Sequence, residues 1–307
     1  MGSPRGWADR YVLADGVTTH YLEAGDGPPL VLLHGGEYGA SALLAWENCI
    51  EALAERHRVL AIDFVGFGLS DKLRDFGGGQ RRLMRRQIAA VLRTLRVEQA
   101  VFIGTSLSGR MLLDLANRSP AEWPIRAMAV VGTGLAAPVE AARLTLERFD
   151  GTLDGLRPSM DVLFHDPRWR DSEDYLRRRH ESCMVPGAWE TAAAASLRAP
   201  GRDGGERRSH VRPPARDYGG VAVPTLLVRG EHDRLVPQQT WRELAAQIPG
   251  ARTVTIGGSG HYPQIERAGA FLDAVLDFLK DPTPDDTTLK DAPLKDAPLK
   301  GAGGGEA

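Results

Sequence analysis

The stretch that most constrains this 307-residue chain is Val101-Phe102-Ile103-Gly104-Thr105-Ser106-Leu107-Ser108-Gly109-Arg110. An apolar run of strand type passes through small residues around a serine. It continues into Met111-Leu112-Leu113-Asp114-Leu115-Ala116-Asn117, which has helical spacing. So tight a turn between strand and helix lifts the serine out of the sheet, with backbone N–H groups and a helix N-terminus behind it. Crowding there demands small neighbours, the G-x-S-x-G pattern of a nucleophile elbow. Ser108 stands at the second glycine position, and Gly109 follows. The same residues would also serve a glycine-rich turn that needs positive φ, its serine capping the next helix. Gly104 and Gly109 do not make G-x-G-x-x-G, so a dinucleotide fingerprint is a worse fit. A base, an acid and an oxyanion donor in the right order elsewhere in the chain would separate these readings.

Upstream, Tyr11-Val12-Leu13 and Val17-Thr18-Thr19-His20-Tyr21 flank Ala14-Asp15-Gly16, a hairpin signal. Leu30-Val31-Leu32-Leu33 has the continuous apolar character of a strand buried on both faces. It runs into His34-Gly35-Gly36-Glu37-Tyr38-Gly39-Ala40, a loop able to turn an N–H of Gly36 or Glu37 toward a ligand. Leu107 N–H would supply the other half of such an oxyanion hole. His34 reads as an anchor for this loop rather than a base. A helix is expected over 42–56 and a strand over 58–62. The loop Asp63-Phe64-Val65-Gly66-Phe67-Gly68-Leu69-Ser70-Asp71 reads as structural, its acids included. The arginines at 81, 82, 85, 86 and 93 of the next helix read as a solvated face.

After a buried strand at 125–132, alternation gives way from residue 135 to 220 to helix-rich, Arg- and Ala-rich sequence, a helical insertion whose end, 201–220, is polar and expected to be mobile. Alternation resumes with Thr225-Leu226-Leu227-Val228, the loop Glu231-His232-Asp233, a strand at 252–256, the loop Gly260-His261-Tyr262 and a helix at 268–280. The core is thus assigned to 1–134 and 221–281. The tail, 282–307, carries an imperfect repeat, Leu289-Lys290-Asp291-Ala292-Pro293 and Leu294-Lys295-Asp296-Ala297-Pro298, and is expected to be disordered.

Composition narrows the function. Hydrophobic content of 42% and charged content of 25% are those of a globular protein. A net charge of −2 argues against nucleic-acid binding. Cys49 and Cys183, the two cysteines, are far apart and lack metal spacing, which predicts neither disulfide nor metal and favours a reducing compartment. The first ten residues lack the apolar core of a signal peptide, and the apolar runs are too short to span a bilayer. The cytoplasm is the expected compartment, with no membrane contact.

Ser106, Asp233 and His261 each sit at the carboxyl end of a predicted strand, where open α/β sheets place ligands. A serine hydroxyl needs a base to take its proton, and the imidazole needs a carboxylate to hold it and to stabilise its charged form. The order Ser, Asp, His is that of α/β-hydrolases. Residues 11 to 280 resemble that superfamily: a mostly parallel twisted sheet flanked by helices, with a helical cap and no metal or organic cofactor. Relatives on this fold with an aspartate nucleophile are disfavoured by Ser106. Within the superfamily the chain is most similar to the meta-cleavage-product hydrolases, which break a carbon–carbon bond in 2-hydroxy-6-oxo-dienoates. The similarity lies in His34-Gly35-Gly36-Glu37-Tyr38-Gly39-Ala40-Ser41, Asp63 to Asp71, and Gly260-His261-Tyr262-Pro263-Gln264-Ile265-Glu266.

In the cap, Leu163-Phe164-His165-Asp166-Pro167 and Tyr175-Leu176-Arg177-Arg178-Arg179-His180-Glu181 resemble the segment whose arginine grips the substrate carboxylate. The resemblance implies that role for Arg179, with Arg178 next, and substrate contacts for Thr105 and Tyr262. Thr105, Ser108, Tyr262, Glu37 and Arg110 depart from that family's pattern. The expected partner is a small-molecule substrate, and a homodimer is left open. Three functions follow: cleavage of a carbon–carbon bond beside a carbonyl in a small keto acid or diketone; cleavage of an ester, lactone or thioester; and ligand binding without catalysis.

Overall fold

Residues 6–76, 79–118, 122–194 and 217–280 are described by a computed structural model. Unbroken apolar runs leave a strand no solvent-facing side, and each such run has become an inner strand of one sheet. Leu30 and Leu32 of β3 (Pro29–Leu33) pack into one core layer, Val31 and Leu33 into the other. The sheet also contains β1 (Ala8–Ala14), β2 (Val17–Ala24), β4 (Arg58–Ile62), β5 (Ala100–Thr105), β6 (Ile125–Val131), β7 (Thr225–Gly230) and β8 (Arg252–Ile256). Their spatial order is β1-β2-β4-β3-β5-β6-β7-β8. Pairing is parallel from β4 through β8, and antiparallel on both sides of β2. The β1–β2 hairpin turns at Asp15 and Gly16 with φ of 52° and 77°, the two positive values a tight hairpin turn requires.

From β3 the chain moves to β4 on one side, then crosses back to β5 on the other. That reversal opens a crevice at the carboxyl ends of β3 and β5. The loop 34–40 and the turn at Ser106 both emerge there. One face of the sheet is covered by α3 (Gln80–Thr94), α4 (Leu107–Ala116) and α10 (Gln238–Gln247). The other is covered by α1 (Ala42–Trp46), α2 (Ile50–Ala54) and α12 (Ala268–Lys280), whose Phe271, Val275 and Phe278 form one buried stripe. The single helix expected over 42–56 is two, broken at 47–49, where the buried Cys49 thiol donates to the Gln264 carbonyl at 3.4 Å.

Between β6 and β7 lie α5 (Glu140–Leu146), α6 (Leu153–Leu163), α7 (Pro167–Arg170), α8 (Glu173–Cys183) and α9 (Ala188–Ala193). Thr152 and Ser172 cap α6 and α8 by accepting from the N–H of Gly155 and Tyr175. Most of 201–220, and the whole tail from 282, lie outside the described residues. The end of that run is packed rather than loose, with Tyr218 buried. Arg110 of α4 donates to the Tyr218 hydroxyl at 2.9 Å and to the Gly134 carbonyl, and Tyr218 donates to Asp114 at 2.7 Å. The charge on the elbow helix thus fastens both roots of the cap. No helix among the described residues is long and apolar enough to cross a membrane.

Asp63 and His34 are structural, as their loops suggest. The buried Asp63 carboxylate accepts from Ala42 N–H at 2.7 Å, Leu69 N–H at 2.9 Å and His20 Nδ1 at 2.7 Å. His34 donates from Nδ1 to the Gly35 carbonyl at 2.7 Å and accepts from Phe64 N–H at 3.1 Å. Burial alone would raise the Asp63 pKa, but its hydrogen bond from His20 and its other neighbours outweigh burial and hold it below the ordinary value. Its contribution to stability is therefore present above the unfolded carboxyl pKa and fades as pH falls through the lower folded value. Asp63→Ala, which strands His20 and two N–H groups, should cost about 3–5 kcal/mol, read as a lower urea midpoint at neutral pH.

Candidate active site

The turn between β5 and α4 holds Ser106 at φ 54° and ψ −107°, in the left-handed region a non-glycine residue rarely occupies. Strand and helix cross too closely for side chains. A Cβ on Gly104 would come 2.9 Å from the Ser108 carbonyl carbon, and one on Gly109 would come 3.0 Å from the Gly104 oxygen. Ser108 can depart from glycine because its hydroxyl is used: it accepts from Thr105 N–H at 2.8 Å and donates to the Leu33 carbonyl at 2.8 Å. One side chain thereby ties the elbow to β3. Thr105 is wholly buried, its hydroxyl without a hydrogen-bond partner.

The predicted acid and base meet. His261 Nδ1 donates to Asp233 Oδ2 at 2.9 Å, while Asp233 Oδ1 accepts from Leu235 and Val236 N–H at 2.8 and 3.1 Å. Both side chains are buried. The His261 ring lies against Gly132, where a Cβ would come within 2.9 Å of Cε1; Ser106 N–H donates to the neighbouring Val131 carbonyl at 2.8 Å. His261 Nε2 is buried and makes no hydrogen bond, to Ser106 or to any other group. Burial disfavours the charged ring, but the Asp233 charge and hydrogen bond outweigh it and raise the His261 pKa above the ordinary 6.5.

The two predicted oxyanion donors are neighbours as well. A Cβ on Gly36 would come 2.6 Å from Leu107 Cδ2, so bulk at 36 would push the loop off the elbow. The Leu107 N–H opens α4, where a helix leaves its first donors unsatisfied. Gly36 and Leu107 line one end of a cavity of about 570 Å³ between cap and sheet, with Tyr38, Gly39, Ala40, Phe67, Met84 and Cys183 among its walls. Cys183 is inert there, since burial pushes its thiol up to about 12. Among the described residues no group of three or more His, Cys, Asp or Glu side chains is arranged to hold a metal ion.

Both cap arginines face carboxylates of this chain. Arg178 pairs with Glu47 at 2.6 Å and lines a separate outer groove. Arg179 is 1% exposed, and its Nη2 lies 2.8 Å from Glu37 Oε1. The Glu37 side chain, expected only to leave a backbone N–H free, is folded back against this guanidinium and the Tyr262 hydroxyl. Tyr262 is buried, with its hydroxyl beside Glu37. The arginine that resembles a carboxylate clamp thus lies beside a carboxylate of this chain, while its Nε and Nη2 are buried and make no hydrogen bond.

Sequence reasoning missed Glu266. Its buried carboxylate accepts from Gly260 N–H at 2.6 Å on one oxygen, and from His165 and Asp166 N–H at 2.8 and 2.7 Å on the other. His261 N–H donates to the Leu163 carbonyl at 2.8 Å. The histidine loop is therefore bound to the end of cap helix α6. The acid was visible at the end of the histidine motif, but two of its three partners lie about a hundred residues away.

Sheet, elbow, acid and histidine loops together define a hydrolase, and a family model described as alpha/beta hydrolase fold matches residues 28–268. The chain belongs to that family and, within it, to the meta-cleavage-product hydrolases. It is 30% identical to a 2-hydroxymuconate semialdehyde hydrolase of Pseudomonas sp. strain CF600, over 89% of this chain and 94% of that protein. Among solved structures it is similar to the 2-hydroxy-6-oxo-6-phenylhexa-2,4-dienoate hydrolase of Rhodococcus sp. strain RHA1, with a TM-score of 0.73, 25% identity, and coverage of 89% of this chain and 99% of that one. The enol-lactonase of Burkholderia xenovorans LB400 is similar too, with a TM-score of 0.69, 25% identity, and coverage of 89% and 100%.

A base must be neutral to accept a proton, so kcat/KM should fall on acidification with a midpoint above 6.5. Asp233→Asn removes the raising charge and leaves burial, so the midpoint should move down while the rate drops by about 10⁴-fold. A pH–rate profile of both proteins checks the two effects together.

Proposed function

We propose that this chain is a serine-dependent hydrolase that cleaves a carbon–carbon bond beside a carbonyl in a small vinylogous diketone or keto acid, working in the cytoplasm. The observation that carries the reading is the buried Asp233–His261 pair, its Nε2 unpartnered, at the same sheet edge as a serine held at positive φ. Relatives named as hydrolases of a dienoate and a muconate semialdehyde support the bond type.

His261 Nε2 takes a proton from Ser106 Oγ, or from a water, as the oxygen attacks the carbonyl carbon. Leu107 N–H and an N–H of Gly36 or Glu37 receive the oxyanion, a contact worth about 3–4 kcal/mol per donor in related chemistry. Asp233 holds the imidazolium that forms. Collapse breaks the bond to the neighbouring carbon, which leaves as an enol-stabilised carbanion and is protonated. Where Ser106 attacked, a water deprotonated by His261 then adds to the acyl carbon, the bond to Ser106 Oγ breaks and His261 returns the proton to Oγ. Where water attacked, the acid forms directly, so either route gives a carboxylic acid. Departure as a stabilised anion requires prior ketonisation of a dienol substrate.

Ser106→Ala should lower turnover by at least about 10⁴-fold with the fold intact by circular dichroism. Retained turnover would remove the serine from the mechanism and return the scaffold to ligand binding. Vinylogous 1,5-diketones and a ring-fission dienoate should be assayed beside p-nitrophenyl esters. Rapid ester cleavage with both carbon–carbon substrates inert would favour the esterase or lactonase alternative, to which the likeness to the enol-lactonase points.

A further inference from the structure

The cavity wall has two places where its residues close on one another. Gly36 and Leu107 meet at the elbow. Gly66, Gln80 and Thr191 meet where cap helix α9 comes down on the loop after β4: a Cβ on Gly66 would come 3.1 Å from Thr191 Cγ2 and 3.2 Å from Gln80 Nε2. Arg74 lines the cavity with this second group. It is half-buried and makes no hydrogen bond or ion pair with any described residue. Arg81, which follows Gln80 on α3, lines the cavity too and is exposed. Glu147 is an acid on the same wall, and Arg143 pairs with it at 2.6 Å.

The backbone that carries Arg74 is fixed on both sides. Gln80 Nε2 donates to the Leu73 carbonyl at 3.0 Å and to the Val65 carbonyl at 3.2 Å, and Gln80 Oε1 accepts from Asp75 N–H at 3.3 Å. Lys72 Nζ donates to the Gly68 carbonyl at 2.9 Å, and the Thr191 hydroxyl of the cap donates to the Lys72 carbonyl at 3.2 Å. The position of this cation is therefore set before any ligand arrives, which lowers the ordering cost of using it. A ligand that fills the cavity displaces the water around the guanidinium. Unless it brings its own anion there, a half-buried charge is left unpaired. The family resemblance gives the dienoate carboxylate to Arg179, which lies behind Gly39 on α8 with Nε and Nη2 unpartnered. Arg74 comes from a different element, and is left for a second anion.

We propose that Arg74, flanked by Arg81, is a specificity-determining residue that forms an anion subsite for a second substrate carboxylate, carried on the acyl side of the bond that breaks. The substrate is then a ring-fission dienoate with an acidic 6-substituent. Its C5–C6 bond breaks, the hydroxyl of water goes to C6 and a proton to C5, so the acyl half leaves as a dicarboxylic acid. This rests on the proposed hydrolase reading and narrows its keto acid to a dicarboxylate.

The test compares 2-hydroxy-6-oxonona-2,4-dienedioate with its 9-carboxamide, which lacks only the second charge. In the wild type the dioate should have a kcat/KM at least about tenfold higher. Arg74→Met should bring the two within about threefold of each other, with the loss in KM, because a group remote from the reacting atoms is bound alike in ground and transition states. The 6-phenyl dienoate, whose acyl substituent is neutral, should lose less than about threefold in the same variant. Equal turnover of dioate and amide by the wild type would overturn the proposal, as would a ratio that Arg74→Met leaves unmoved. An equal loss on the phenyl substrate would overturn it too, by placing Arg74 on the carboxylate that all three share. Should Arg74→Met fail to fold by circular dichroism, Arg74→Gln and the wild-type ratio decide. Failure of the carbon–carbon reading is a different result, with no dienoate cleaved and esters hydrolysed; the preference is then read from mono-p-nitrophenyl glutarate against its carboxamide. If no substrate turns over, calorimetric binding of the dioate and its amide to the wild type reads the same ratio.

Discussion

The close crossing of β5 and α4 is the constraint on which the rest of the molecule depends. Gly104 and Gly109 let the two backbones touch, and the chain can join them only by forcing Ser106 to positive φ. That one conformation raises the hydroxyl above the sheet, opens the Leu107 N–H and brings Leu107 against Gly36. The strain costs on the order of 1–3 kcal/mol and persists only because the surrounding packing over-determines it. The Ser108 hydroxyl, Ser106 N–H and Thr133 hydroxyl supply part of that packing through bonds to Leu33, Val131 and the Ser106 carbonyl.

Most of the scaffold could be read from the chain because its signals are local. Apolar runs at 30–33 and 101–103 have nowhere to go but the middle of a sheet, and Asp15-Gly16 fixes a turn on its own. The meeting of Asp233 with His261 was legible through chemistry, since a buried imidazole used as a base requires a carboxylate. The break in 42–56 was not: it falls where Cys49 meets the Gln264 carbonyl, a contact from another part of the chain. The surroundings of Arg179 were hidden for a related reason. A motif shows that an arginine is present; it does not show which carboxylate that arginine meets.

Departures from the family pattern are answered in pairs. Glu37 is answered by Arg179, Ser108 by the Leu33 carbonyl, Arg110 by Tyr218 and Gly134. In each case a polar group enters a tight place and meets a partner from a distant part of the chain, the kind of pairing that lowers the cost of burying it. Glu266 follows the same logic across the cap boundary, where a single carboxylate gathers three N–H groups from two segments.

The Arg110–Tyr218–Asp114 cluster has a further consequence. Both stalks of the helical insertion are fastened to one helix, the same helix that begins at the elbow. Evolution or engineering can therefore exchange the roof of this enzyme as a cassette, provided the transplant brings a tyrosine for position 218 and lands on an arginine and an aspartate one helical turn apart. A graft lacking those three residues would arrive with its foundations unsecured, and its pocket would be set by chance instead of by the elbow beneath it.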